Sequence, residues 1–234
     1  ARHEYEIEAA IEHGFRRRGA MGPAFPTIAA AGANATILHY TANSAPLKSG
    51  DLLLVDAGVR ADMYCADITR TFPISGRFSE PQRALYDVVQ AAHDAAISCI
   101  AAGRSIADMD DAALRVLVAG MIDLRLLAGA IDDIIEKKEY RQYFPHRVSH
   151  WIGLDVHDAG EYVVAGEPVT LEAGMVLTIE PGLYVPAADT NAPAALRGTG
   201  IRLENDVLVT DTGCDVLTGA LPLGATDVET MIRA

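Results

Sequence analysis

In the segment RHEYEIEAAIEHGFRRR, Arg2 to Arg18, the apolar residues Tyr5, Ile7, Ile11 and Phe15 recur at near-helical spacing, with acids early and arginines late. That charge order suits the helix dipole, so the pattern predicts a helix. Residues 20–50 are rich in Gly, Pro, Ala and Asn and read as short strands and loops ending in the turn KSGD. LLLVDAGVRADMYCADITRTFPI then gives two strand-like runs about one turn. SEPQRALYDVVQAAHDAAISCIAAG begins with a capping signature and continues with helical periodicity, and a further helix is expected over Ile106 to Leu127. After a loop near EYRQYFPHR, strands return in TLEAGMVLTIEPGLYV and GIRLENDVLVTDTG, separated by a connection from Pro186 to Leu196. Strands and helices that come in blocks, without strict alternation, predict an α+β architecture with a mostly antiparallel sheet. Nothing marks a repeat or a linker, so residues 1–234 are expected to form one domain.

Composition removes several function classes. With 50% hydrophobic residues in 234, the chain can bury a full core and is not a disordered segment. A net charge of −13, with no basic run longer than Arg16-Arg17-Arg18, argues against nucleic acid as a partner. Cys65, Cys99 and Cys214 lie far apart and suggest neither a disulfide framework nor a zinc cluster, so a reducing, cytoplasmic setting is the expectation. No apolar run reaches the roughly 18 to 20 residues of a membrane span, so no membrane association is expected.

The acids inside the strand patterns change the picture. A two-residue turn at Ala61-Asp62 would set Asp56 opposite Asp67 on one face, among the apolar Leu52, Leu53, Leu54, Val55 and Ile68. Like charges facing each other there must share a proton or a cation. The alternative is a slipped register in which one aspartate caps the turn. Glu180 in VLTIEPGLYV and Glu204 in GIRLENDVLV are likewise lone acids in apolar strands. A strand glutamate usually faces solvent, but four such acids with a nearby histidine form a hard ligand set. That set suits two divalent ions, Mn²⁺ foremost, with Co²⁺, Fe²⁺ or Zn²⁺ as alternatives, and paired ions of this kind make a hydrolase centre. SHWIGLDVHDAG, Ser149 to Gly160, concentrates His150, His157, Asp155, Asp158 and the only tryptophan in twelve residues.

Taken in order, VDAG, ADITRTFP, SHWIGLDVHD, LTIEPGLY and GIRLENDVLVT resemble the pita-bread metallopeptidases of the aminopeptidase P (Xaa-Pro aminopeptidase) and prolidase family. The likeness runs from about Glu4 to the C-terminus. It implies a pseudo-symmetric, curved, mostly antiparallel sheet with helices. It also implies Asp56, Asp67, His150, Glu180 and Glu204 as ligands of two metal ions, Asp67 and Glu204 bridging them. Glu180 would be the general base for a metal-bridging water. The resemblance further implies that His157 supports the tetrahedral intermediate, that His39 and His146 bind substrate and shuttle protons, and that Arg202 stands beside the site. Asp155 and Asp158 would be structural, as acceptors that orient the histidines, while His3, His13 and His93 would be solvated surface residues. Trp151 is usual in the aminopeptidase P branch.

Two departures stand out. Arg147 replaces a glycine usual in the family, and a long cation there is expected to narrow the substrate channel or contact a peptide carboxylate. The family's N-terminal domain, which helps it dimerise, is absent from this chain. The implied activity is that of a metalloaminopeptidase releasing the first residue of a peptide with proline second, acting as a homodimer. Prolidase action on Xaa-Pro dipeptides is the nearest alternative, and a non-catalytic peptide-binding module on the same fold is the alternative from another class. The SHWIGLDVHD block disfavours a methionine aminopeptidase, and a phosphotriesterase activity would be at most a side reaction.

Overall fold

The computed structural model describes residues 1–233. Helix α1 (Glu4–Arg17) carries Glu4 and Glu6 in its first turn and Arg16 and Arg17 in its last. Ile7, Ile11 and Phe15 face an apolar groove, whereas Tyr5 turns outward and stacks on His3. The strands of the first half follow: β1 (Gly22–Pro23), β2 (Ile28–Ala31), β3 (Leu52–Ala57), β4 (Val59–Ala61), β5 (Tyr64–Cys65) and β6 (Ile68–Pro73). β3 lies between β2 and β6, antiparallel to both.

The hairpin turn is Asp62-Met63, not Ala61-Asp62. Arg60 pairs with Cys65 and Ala61 with Tyr64, and both turn residues have positive φ, 46° and 72°. That is the backbone of the tight two-residue turn matching strand twist, with the aspartate at its first central position. The register therefore moves by two residues, and Asp56 stands opposite Thr69. Because side chains alternate with period two, a slip of two keeps Asp56 and Asp67 on the same face as diagonal neighbours.

The second half opens with α2 (Glu80–Ser98), where Gln82 Oε1 accepts the Ser79 N–H at 2.9 Å, and α3 (Ile106–Asp123), capped by Ser105. α3 ends four residues short of the expected Leu127, and Arg125 adopts a left-handed φ of 59° just beyond it. α4 (Ile131–Glu136) and a hairpin of β7 (Val163–Val164) and β8 (Glu167–Pro168) are additions to the expected elements. The final strands are β9 (Val176–Ile179), β10 (Gly182–Val185), β11 (Thr199–Arg202), β12 (Asn205–Val209) and β13 (Cys214–Val216), followed by α5 (Ala225–Arg233). β9 pairs with β12 and β10 with β11 in one continuous register, interrupted at Glu180-Pro181 and Leu203-Glu204. Glu180 and Glu204 therefore face each other across the interruption. Proline has no N–H to give a ladder, which fits a break there.

The main core packs Leu85, Tyr86, Val89, Leu117 and Met121 of α2 and α3 against Leu177, Ile179, Leu183 and Ile201 of the strands. Each such burial contributes about 1.5–3 kcal/mol. His93 belongs to this interior: it is 4% exposed, with Nε2 3.1 Å from Asn205 Nδ2, so the expectation of a surface residue is wrong. The solvent pattern of α2 was interrupted there by a partner more than a hundred residues away. His13 is exposed as expected, and His3 is half-buried.

Gly200 lets β11 press against the turn at Gly32–Thr36. A Cβ on it would run into the Ala35 carbonyl, while one on Gly213 would meet nothing. Gly200→Ala is expected to destabilise the fold by about 1–3 kcal/mol, seen as a lower Tm in thermal denaturation, with Gly213→Ala unchanged.

Candidate metal centre

The two interrupted hairpins meet at a cavity of about 500 Å³. β3 brings Asp56, the segment before β6 brings Asp67, and the strand breaks bring Glu180 and Glu204. His150, His146, His157, His39 and Arg202 line the same space, with Phe25, Leu38 and Val156 forming apolar wall. All of the sequence-predicted site residues are thus gathered at one cavity.

His150 donates from Nδ1 to the Trp151 carbonyl at 3.0 Å, which leaves Nε2 with its lone pair toward the acids. Nε2 stands 3.6 Å from Asp67 Oδ2, 3.7 Å from Glu180 Oε1 and 4.0 Å from Glu204 Oε1. These gaps are long for hydrogen bonds. They match ligand atoms that share an ion about 2.1 Å from each. One ligand atom each from Asp67, His150 and Glu204 lies within 4.8 Å of the others. Asp56 Oδ1 and Asp67 Oδ1 are buried without a hydrogen-bond partner, so their lone pairs are free for a cation. The donor set is oxygen-rich with one imidazole nitrogen and no thiolate, a chemistry that fits divalent transition ions.

Electrostatics point the same way. Burial, then the neighbouring Glu204 and Asp56 charges, holds Asp67 well above the usual carboxylate range. Burial, then Glu180 and Asp56, does the same to Glu204. Burial pushes Glu180 up to about 8, against the lowering effect of Arg202. Burial pulls His150 down to about 4 and His146 down to about 3.

Arg202 is 4% exposed and spends its donors inward: on Asp56 Oδ2 at 2.6 Å, the Tyr184 hydroxyl at 2.9 Å and Thr69 Oγ1 at 3.2 Å. The Tyr184 hydroxyl in turn donates to His146 Nε2 at 2.8 Å, and His146 Nδ1 donates to the Arg147 carbonyl. Thr69 Oγ1 donates to Glu204 Oε2 at 2.6 Å, and Asp206 Oδ2 accepts the Asp67 N–H at 3.0 Å. Tyr184, Thr69 and Asp206 were missed by sequence reasoning. Each sits in a strand-like run where only the cross-strand partner reveals its use. His157 stands edge-on to His150, ring centroids 4.4 Å apart, and is exposed to the cavity.

Two expectations about the neighbours fail, that Asp155 and Asp158 orient the histidines and that Arg147 narrows the channel. Asp155 pairs with Arg60 at 3.5 Å, and Asp158 accepts the N–H groups of Leu154 and Ala159, so neither orients a histidine. Backbone carbonyls hold His146 and His150 instead. Arg147 lies over the Tyr162 ring at 4.0 Å and pairs with Asp110 at 3.3 Å. It is absent from the cavity lining and does not narrow it.

Residues 1–211 match metallopeptidase family M24. The chain is 45% identical to the Xaa-Pro aminopeptidase of Haemophilus influenzae over 99% of its own length and 54% of that protein's. It superposes on Pseudomonas aeruginosa aminopeptidase PepP with a TM-score of 0.97 and 47% identity, covering 99% of this chain and 52% of that one. A zinc-substituted Escherichia coli aminopeptidase P in complex with product gives a TM-score of 0.95 at 41% identity, with coverages of 99% and 52%. The chain therefore has the pita-bread fold and spans about half the length of the relatives it matches. Among the described residues no helix is long and apolar enough to cross a membrane.

The shifted groups set a pH dependence for the metal-free protein. Glu180, neutral in the folded state up to about 8 but ionised when unfolded, removes stability as pH rises toward 8. His146 and His150, depressed to about 3 and 4, act in the opposite sense, adding stability as pH rises to their unfolded value near 6.5. Between about pH 6.5 and 8 the acids act alone. The Tm of metal-free protein is expected to fall across that window, and Mn²⁺ to raise Tm most at its upper end.

Proposed function

The chain belongs to metallopeptidase family M24, and on that premise we propose that it is a metalloaminopeptidase hydrolysing the N-terminal Xaa-Pro bond of peptides. The observation that carries this reading is the convergence of Asp56, Asp67, His150, Glu180 and Glu204 on one cavity with uncommitted carboxylate oxygens. These five residues would hold two divalent cations, Mn²⁺ foremost, with Asp67 and Glu204 shared between them. Bound there, such a pair supplies an activated water and polarises the scissile carbonyl. Because both halves of the chain contribute ligands, we read residues 1–234 as one catalytic unit.

The chain's own residues do the rest. Glu180 accepts the proton of the attacking water. His146 is assigned to pass that proton on, its Nδ1 standing 3.6 Å from Glu180 Oε2, a gap that one water bridges. His157, free on the cavity side, donates a hydrogen bond to the oxyanion of the tetrahedral intermediate. His39, exposed on the cavity wall, binds the substrate. Arg202, bound to Asp56, Tyr184 and Thr69, acts by holding Asp56 in place. An Xaa-Pro bond has no N–H, so this machinery makes no use of a donor from that nitrogen.

Release of the first residue from an Xaa-Pro-Yaa tripeptide and from the matching Xaa-Pro dipeptide, with Mn²⁺ present, tests the reading. Tripeptide cleavage with little dipeptide cleavage is expected, and the reverse identifies a prolidase. No cleavage of either, in protein that holds no divalent ion, overturns the peptidase reading and favours the peptide-binding module. His157→Ala is expected to lower kcat by roughly 10²-fold with a smaller effect on KM. An unchanged kcat removes His157 from the oxyanion role.

A further inference from the structure

Arg70 is 1% exposed and lies beside Thr69 in β6, on the face turned away from the carboxylates. Its guanidinium makes five hydrogen bonds: from Nη1 to the Thr69 carbonyl at 2.9 Å and to the Glu204 carbonyl, from Nη2 to Asn205 Oδ1 at 2.7 Å and the Leu221 carbonyl at 2.9 Å, and from Nε to the Pro222 carbonyl at 2.9 Å. None of these acceptors is a carboxylate. A buried cation with only neutral partners carries a large desolvation cost, so its presence calls for a reason beyond filling a core. What the guanidinium supplies, and no apolar or ammonium group can, is a rigid planar fork that fixes several acceptors at once.

Two of those acceptors, the Glu204 carbonyl and the Thr69 carbonyl that takes the Glu204 N–H, bear on one residue. Glu204 sits between β11 and β12, where their ladder with β10 and β9 is interrupted, so strand pairing does not hold its backbone. Its N–H donates to the Thr69 carbonyl at 3.0 Å, its carbonyl accepts from Arg70, and its Oε2 accepts from Thr69 Oγ1. The dipeptide Thr69-Arg70 therefore grips Glu204 at its N–H, its carbonyl and Oε2, leaving Oε1 toward His150. It belongs to the half that carries Asp56 and Asp67, while Glu204 belongs to the half that carries Glu180.

We propose that Arg70 is a positioning residue of the metal centre, setting Glu204 against Asp67 by clamping the Glu204 carbonyl to β6 and to the 221–222 segment. This rests on the metal-centre reading above. Arg70→Lys keeps the charge and loses the fork. Calorimetric titration of the metal-free intact chain with Mn²⁺, alongside far-UV circular dichroism and the metal-free Tm, tests it. The folded variant is expected to bind Mn²⁺ roughly 10- to 100-fold more weakly than wild type. Wild-type affinity in folded Arg70→Lys, whatever its Tm, overturns the proposal, since a merely structural role moves Tm alone. If Arg70→Lys does not fold, Asn205→Ala, which removes one of the five acceptors, decides. A several-fold loss of affinity supports the clamp, and unchanged affinity overturns it. Wild-type protein that binds no Mn²⁺ defeats the metal reading and the clamp together, which separates that failure from a failure of Arg70 alone.

Discussion

Four carboxylates share one largely buried space with a single guanidinium, and that imbalance governs everything around it. Arg202 neutralises Asp56 directly at 2.6 Å, which leaves Asp67, Glu180 and Glu204 without a cation of their own. The metal-free protein resolves the conflict by keeping protons on acids that would ordinarily lose them. A divalent cation resolves it by charge, and the depressed imidazole of His150 is already in the neutral form that a metal ligand needs. A site that strains its own electrostatics in this way is one whose stability and function are coupled to what binds there.

The fold creates the conflict by interrupting its own ladders. In the second half, one register runs through β9–β12 and β10–β11, and the acids stand at the gap, where backbone pairing lapses and side chains turn to the cavity. In the first half, Gly58 divides β3 from β4 opposite Asp67, and a Cβ there would collide with the Ala66 carbonyl and the Phe25 ring. Few backbone bonds join the halves, among them the Glu204 N–H to the Thr69 carbonyl at 3.0 Å, and side chains add to them. Thr69, Arg70 and Arg202 bridge strands that share no ladder.

Much of this was legible in the chain because alternation survives a register error of an even number of residues. Placing the turn one residue early misaligned Asp56 and Asp67 by two positions and still kept them on one face. The motif order carried the fold and its family. What stayed hidden depended on contacts distant in sequence. Nothing near Arg70 in sequence announces Leu221 and Pro222 as its partners, and nothing near Tyr184 announces that His146 and Arg202 reach its hydroxyl. Arg147 looked like an obstacle in the channel because nothing local announces Asp110 or Tyr162 as its partners. The Glu180-Pro181 and Leu203-Glu204 breaks were read through as continuous strands, although the proline was a signal against it.

The most direct test of this account is anomalous X-ray scattering at the manganese edge from crystals of the intact chain grown with Mn²⁺. Two peaks enclosed by Asp56, Asp67, His150, Glu180 and Glu204 are expected. A structure of well-ordered protein with no peak among these residues, or with the manganese held elsewhere, would contradict it.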